Sequence, residues 1–102
     1  MKSRYILSPE AALDLAGIWH YIGRNATVMI ADRVERVIRE KMALLAAASG
    51  VGHWRHDLTD EAVKFFPVYS YLIVYRPETT PLQVVAILHG RRDVERLLKD
   101  RL

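Results

Sequence analysis

Two apolar, β-branched runs, Tyr71-Leu-Ile-Val-Tyr-Arg76 and Leu82-Gln-Val-Val-Ala-Ile-Leu-His89, constrain this chain most. Their composition suits strands, and only Pro77-Glu-Thr-Thr-Pro81 separates them, so they pair as antiparallel neighbours. The second run stops at His89-Gly-Arg-Arg-Asp93. An imidazole, two guanidiniums and a carboxylate are thereby delivered to the end of a strand, a rigid place to concentrate charge. Function is expected there first. The competing reading is a solvated strand end with an Arg–Asp pair, because surface charge pairs are common and weak.

The texture upstream changes twice. Tyr5-Ile-Leu7 is a short apolar run stopped by Ser8-Pro9-Glu10. There Ser suits a helix cap, Pro the first helical position and Glu the positive end of the helix dipole. From Pro9 to Arg24, Leu15, Ile18, Trp19 and Ile22 recur at helical spacing and form a core-facing stripe, with Trp19 read as packing. A second helix starts near Thr27 or Val28 and runs to about Ala48, with Ile30, Val34, Val37, Ile38, Lys41, Met42 and Leu45 following the helical repeat. Asp32 with Arg36 and Glu35 with Arg39 are candidate pairs on its outer side. Helices joined this tightly are antiparallel. Gly50 and Gly52 are expected to end the second helix through a left-handed cap.

His53-Trp-Arg-His-Asp-Leu58 has neither period, and no ligand set at recognised spacing turns its two histidines into a metal site. Val63-Lys-Phe-Phe-Pro67 then opens the strands, with Pro67 suited to an edge and a turn near Tyr69-Ser70. Asp93 to Leu102 reads as a last short helix with Val94, Leu97 and Leu98 inward. The expected fold is α+β: an N-terminal strand, an antiparallel helical hairpin and a three-stranded meander, forming one small sheet with the hairpin on one face. The other face is expected to stay partly open and apolar, a surface that wants a partner.

At 102 residues the chain is read as a single domain, 1–102, able to build a core without staples. It has no cysteine, which excludes disulfides, thiolate catalysis and cysteine-based zinc sites. Met1-Lys-Ser-Arg4 leaves no room for a signal peptide and no uncharged stretch is long enough to span a membrane, so a cytoplasmic protein is expected. A net charge of +3 permits a nucleic-acid partner without demanding one. No cofactor is implied.

Several of these pieces recur together in one family. Leu7-Ser-Pro-Glu-Ala11, Asp14-Leu15, Ile18-Trp-His-Tyr21, Arg55-x-x-Leu58, Phe66-Pro-Val68, Tyr71 to Arg76 and Ile87-Leu-His-Gly-Arg-Arg-Asp93 resemble, in order and spacing, the ParE branch of the RelE/ParE toxin superfamily. The resemblance spans essentially the whole chain. It implies a bacterial type II toxin held inactive by a small ParD-like antitoxin and acting on DNA gyrase, as ParE-type toxins do, without cutting nucleic acid itself. RelE-type relatives instead cleave messenger RNA on the ribosome, and the shared fold cannot choose between them. Arg92 matches the arginine of the ribonuclease pattern, but Leu98 stands where a late tyrosine is expected, and the middle strand opens with Ser70-Tyr71 in place of an arginine. The resemblance therefore favours a gyrase inhibitor that is not an enzyme, with a RelE-like mRNA interferase as the alternative. Residues expected to serve toxicity or target binding are His89, Arg91, Arg92, Asp93, Arg76 and Arg55, and His56 joins them if the loop before the second strand folds over the sheet. Trp19, Ile22 and Arg33 are expected on the antitoxin-binding surface, where the antitoxin's C-terminal segment would pack along the two helices.

Overall fold

Each helix begins at a residue whose side-chain oxygen replaces a missing backbone partner. In the computed structural model, which describes residues 4–102, Ser8 accepts from the Ala11 amide and starts α1 (Pro9–Asn25). Thr27 accepts from Ile30 and starts α2 (Val28–Ala47), and Asp93 accepts from Arg96 and starts α3 (Val94–Arg101). Such caps stabilise a helix by about 1 kcal/mol each. Four strands complete the chain: β1 (Tyr5–Leu7), β2 (Lys64–Val68), β3 (Tyr71–Arg76) and β4 (Leu82–His89). Met1 to Ser3, part of the segment read for a leader peptide, lie outside the described residues.

The strand order is β1-β4-β3-β2. The meander expected from the sequence is antiparallel throughout, and β1 joins it in parallel along the outer side of β4. Pro67 sits on the edge strand β2, where its lack of an N–H breaks no ladder. The hairpin covers one face: Ala11, Leu15, Ile38, Met42 and Leu45 pack on Val68, Ile73, Tyr75, Leu82, Val84 and Ile87.

The second face is not left open. Val63, Phe65, Val74, Ala86 and Leu88 are at most 2% exposed there and pack with Val94 and Leu98 of α3. The reason is the cap at Asp93, which turns the chain so that the i, i+4 pair Val94 and Leu98 folds back under the sheet, while Leu58 closes in from the preceding loop. More of the exposed apolar surface lies on the hairpin, at Leu13, Tyr21, Val28, Met29 and Ile30, than on the loops and β1, where Ile6, Val51, Trp54 and Tyr69 are exposed. Burial falls toward the interhelical turn. Leu15 is buried, whereas Ile18, Trp19 and Ile22 are half-buried and Ile30 is 40% exposed. Glu35 and Arg39 do pair, at 3.4 Å, but Asp32 accepts from the Trp19 indole at 2.7 Å and so joins the helices.

The glycines after α2 serve a different purpose from the one expected. No glycine among the described residues has positive φ, and the residue that caps the end of α2 is Ala48. Gly52 is needed because the Tyr75 hydroxyl lies where its side chain would be. That hydroxyl donates to the Ser49 carbonyl at 2.7 Å and accepts from the Gly52 amide at 2.9 Å, fastening the end of the hairpin to the sheet. Burial pushes the Tyr75 phenol above its ordinary pKa. Since the unfolded chain would ionise first, this contribution is complete below pH ~10 and is lost as the pH rises above it. Tyr75→Phe should cost about 1–3 kcal/mol in urea unfolding, because the buried Gly52 amide loses its acceptor. The alkaline loss of stability should also be shallower in that variant than in wild type.

Candidate functional site

The C-terminal half of β4 carries the site, and its exposed edge is closed by side chains. β1 pairs only as far as Val84, so the strand edge beyond it would be left without partners. The Ser8 amide donates to the Val84 carbonyl at 3.0 Å and the Ser8 hydroxyl to the Val85 carbonyl at 3.3 Å. Asp14 on α1 then accepts from the Ile87 amide at 3.0 Å, as an added strand would. Arg101 of α3 grips both carboxylate oxygens of Asp14, donating from Nη1 to Oδ2 at 2.6 Å and from Nη2 to Oδ1 at 2.8 Å, and Nη1 also reaches the Val85 carbonyl at 3.3 Å. Both side chains are less than a fifth exposed, at 18% and 14%. The carboxylate raises the Arg101 pKa further above its usual range.

Beyond Ile87 the strand presents the basic signature. His89 lies opposite Tyr71 in the β3–β4 register, and the two rings meet edge-to-face at 5.5 Å. The chain then curls round the imidazole: the Arg91 amide donates to His89 Nδ1 at 3.1 Å and the Arg92 amide to the His89 carbonyl at 3.0 Å. The Gly90 amide donates to the Ser70 carbonyl at 2.8 Å, which ties this turn to the one between β2 and β3. In that neighbouring turn Tyr69 adopts φ 55°, a left-handed conformation that costs a bulky residue about 1 kcal/mol. The side chains of Arg91 and Arg92 are exposed and form no ion pair among the described residues.

A groove of about 580 Å³ runs between this strand end and α1. Leu13, Gly17, Ile18 and Tyr21 form the helix wall; Tyr71, Ile87, His89 and Arg92 form the sheet wall. Its one carboxylate, Asp14, is committed to Arg101 and the Ile87 amide. Burial, and to a lesser degree the neighbouring Tyr21, push the Tyr71 phenol above its ordinary pKa, so it stays protonated at neutral pH. The groove therefore offers one unpaired guanidinium, hydrogen-bond donors and apolar walls, and His89 as its sole candidate base.

The sequence-predicted residues are only partly brought together. His89 and Arg92 line the groove, Arg91 lies on the same turn, and Asp93 caps α3. Arg76 pairs with Gln83 at the opposite end of the sheet, five residues along β3 from Tyr71, roughly 17 Å away. Arg55 follows His53, which bridges Phe65 on the outer edge of β2, and is held by Asp57 at 2.8 and 2.9 Å. That pairing raises the Arg55 pKa and lowers that of Asp57, but solvent screens it. The loop does fold over the sheet, yet it covers the face opposite the groove, and His56 points to a separate acidic hollow beside α3. Leu98 is 1% exposed in the core of that same far face. On the hairpin, Arg33 is exposed, Ile22 half-buried, and the half-buried Trp19 engaged with Asp32.

Tyr71, Tyr21, Leu13 and Gly17 were not read as site residues. Leu13, Gly17 and Tyr21 recur at i, i+4, i+8, a stripe that the sequence displays beside the core-facing one. Tyr71 becomes visible once the register sets it across from His89.

Comparison with known proteins decides the family. A family model described as the ParE toxin of type II toxin–antitoxin system, parDE, matches residues 5–94. The chain belongs to the ParE toxin family. It is 33% identical over 98 residues to a protein of Escherichia coli described as Toxin ParE, an alignment covering 96% of this chain and 95% of the relative. A solved structure titled "Chromosomal ParDE TA system from P. aeruginosa" shares the fold, with a TM-score of 0.73 at 17% identity, covering 86% of this chain and 96% of that one. Among the described residues, no helix is long and apolar enough to cross a membrane.

Removing one member of the Asp14–Arg101 pair leaves a poorly solvated charge behind. Asp14→Ala should cost on the order of 3 kcal/mol in urea unfolding, whereas the double variant Asp14→Ala/Arg101→Met should cost measurably less than the sum of the two single changes.

Proposed function

We propose that this toxin-family chain is held inactive by a ParD-like antitoxin and acts in the cytoplasm by inhibiting DNA gyrase, as a binding protein and not as a catalyst. The observation that carries this reading is the character of the β4 end. Arg91 and Arg92 stand unpaired on a turn braced by His89 and Ser70, while the groove beside them holds no free carboxylate. Cleaving RNA through its own 2'-hydroxyl requires a base for that oxygen and an acid for the leaving one. Here the Tyr71 phenol stays protonated and can act only as a proton donor, Asp14 is tied down, and His89, the one candidate base, has its Nδ1 occupied by the Arg91 amide. Leu98 lies in the far-face core, so no side chain from that position reaches the groove. A gyrase poison needs none of these groups, because gyrase itself cuts the DNA. It needs only a surface that binds.

The antitoxin surface fits the hairpin. Trp19, Ile22 and the exposed Arg33 share the hairpin with the exposed apolar residues Tyr21, Met29 and Ile30, more apolar surface than a solvated hairpin requires. A partner helix or extended segment laid along α1 and α2 would cover it.

Purified toxin should promote gyrase-dependent DNA cleavage in the presence of ATP and leave messenger RNA intact on translating ribosomes. Codon-positioned RNA cuts with no effect on gyrase would assign the basic turn to catalysis instead. Arg92→Lys should weaken growth arrest nearly as much as Arg92→Ala, since a point charge does not reproduce the planar, bidentate contact of a guanidinium. Full growth arrest by a folded Arg91→Ala/Arg92→Ala protein would place the toxic surface elsewhere.

A further inference from the structure

Tyr69 is placed against the interest of the fold. Val68 pairs with Tyr71, so Tyr69 and Ser70 are the whole connection between β2 and β3. A two-residue turn with positive φ at its first central position is one that glycine favours, because a β-carbon is crowded there. Here that position, at φ 55°, holds an aromatic residue, the one non-glycine residue with positive φ among those described. Burial does not offset the strain. Tyr69 is 62% exposed and joins neither hydrophobic cluster of the core.

The sheet fixes where this residue stands. β3 and β4 set Tyr71 opposite His89, and the Gly90 amide donates to the Ser70 carbonyl at 2.8 Å, so the next residues in the same register are Tyr69 and Arg91. Tyr69 does not line the groove beside α1. An exposed phenol is therefore held at the end of the sheet next to the turn that carries the unpaired guanidiniums of Arg91 and Arg92. Tyrosine and arginine are the residues that most often anchor protein–protein interfaces. A polynucleotide asks for more, since it is held through several phosphates at once and this turn supplies two cations. Strained backbone of this kind clusters at binding sites, where it holds a side chain in the geometry that binding needs.

We propose that Tyr69 is a target-binding residue that acts with Arg91 and Arg92, its ring packing on a protein surface of gyrase that presents carboxylates to the two guanidiniums. The assignment rests on the gyrase reading above and adds to it a residue outside the basic signature. The ring supplies contact area, the guanidiniums supply charge, and the left-handed backbone is the cost of holding the ring out beside them.

The test uses the full toxin chain, assayed for gyrase-dependent DNA cleavage with ATP, for thermal melting and for affinity to the antitoxin encoded beside it. Tyr69→Gly should melt no lower than wild type, because glycine adopts this φ without strain, yet about tenfold more protein should be needed for the same cleavage. Tyr69→Phe keeps the ring and should retain most of the activity. Antitoxin affinity should be the same for all three proteins. Equal potency of Tyr69→Gly and wild type would overturn the assignment while leaving the gyrase reading intact. A Tyr69→Gly protein that melts well below wild type would also overturn it, since the ring would then serve the fold. So would a fall in antitoxin affinity that matches the loss of gyrase action, which would give the ring to the inhibitor. Binding of linear duplex DNA by the toxin without gyrase, abolished in Tyr69→Gly, would overturn it in favour of a nucleic-acid contact. A wild-type chain with no effect on gyrase would remove the gyrase reading and this assignment together.

Discussion

The contact on which the rest of this structure depends is the carboxylate of Asp14 standing in for a strand. A three-residue β1 cannot cover an eight-residue β4, and the uncovered edge carries an amide and a carbonyl that must find partners. Asp14 takes the Ile87 amide and Arg101 takes the Val85 carbonyl, and the two side chains then satisfy one another. One cluster thus fixes three elements: α1 above the sheet, α3 below it, and β4 between. A salt bridge of this kind, shielded but not fully buried, is valued less for net stability than for the arrangement it enforces. Here it holds α1 at the distance from β4 that leaves the groove open.

A bulge decides which residues that strand sends to each face. Val74 lies opposite Ala86 and Tyr75 opposite Val84, so Val85 is an extra residue in β4. Val84 and Ile87 therefore face the hairpin, while Val85, Ala86 and Leu88 face α3. Without the extra residue, Val84, Ala86 and Leu88 would share one face. The bulge also turns successive carbonyls, those of Val84 and Val85, toward Ser8, and so prepares the edge that Asp14 and Arg101 close.

Local signals in the sequence carried far, and long-range ones did not. Ser8-Pro9, Thr27 and Asp93 announced all three helix starts because capping is decided within three residues. The strands and the hairpin turn at Tyr69-Ser70 were legible from composition. The parallel pairing of β1 with β4 was not, nor was the side on which α3 lies, since neither leaves a periodic mark. Asp14 and Arg101 are 87 positions apart, and no pattern links them. The same limit divided the site: His89, Arg91 and Arg92, adjacent in sequence, stay adjacent in space, whereas Arg76 and Arg55 share their charge but not their end of the sheet. Gly52 was legible as a breaker but not as the residue that admits Tyr75, which approaches from 23 positions away.

These constraints link fold and function through one strand. Arg92 and the groove keep their geometry only if the edge of β4 is held shut as β3 holds its other side. Native-state hydrogen exchange at the Ile87 amide tests this directly, because that amide has no backbone partner and depends on Asp14 alone. It should exchange as slowly as the amides of β3, and this protection should vanish selectively in a folded Asp14→Leu protein. Exchange of the wild-type Ile87 amide at the rate of an unprotected peptide would contradict the account.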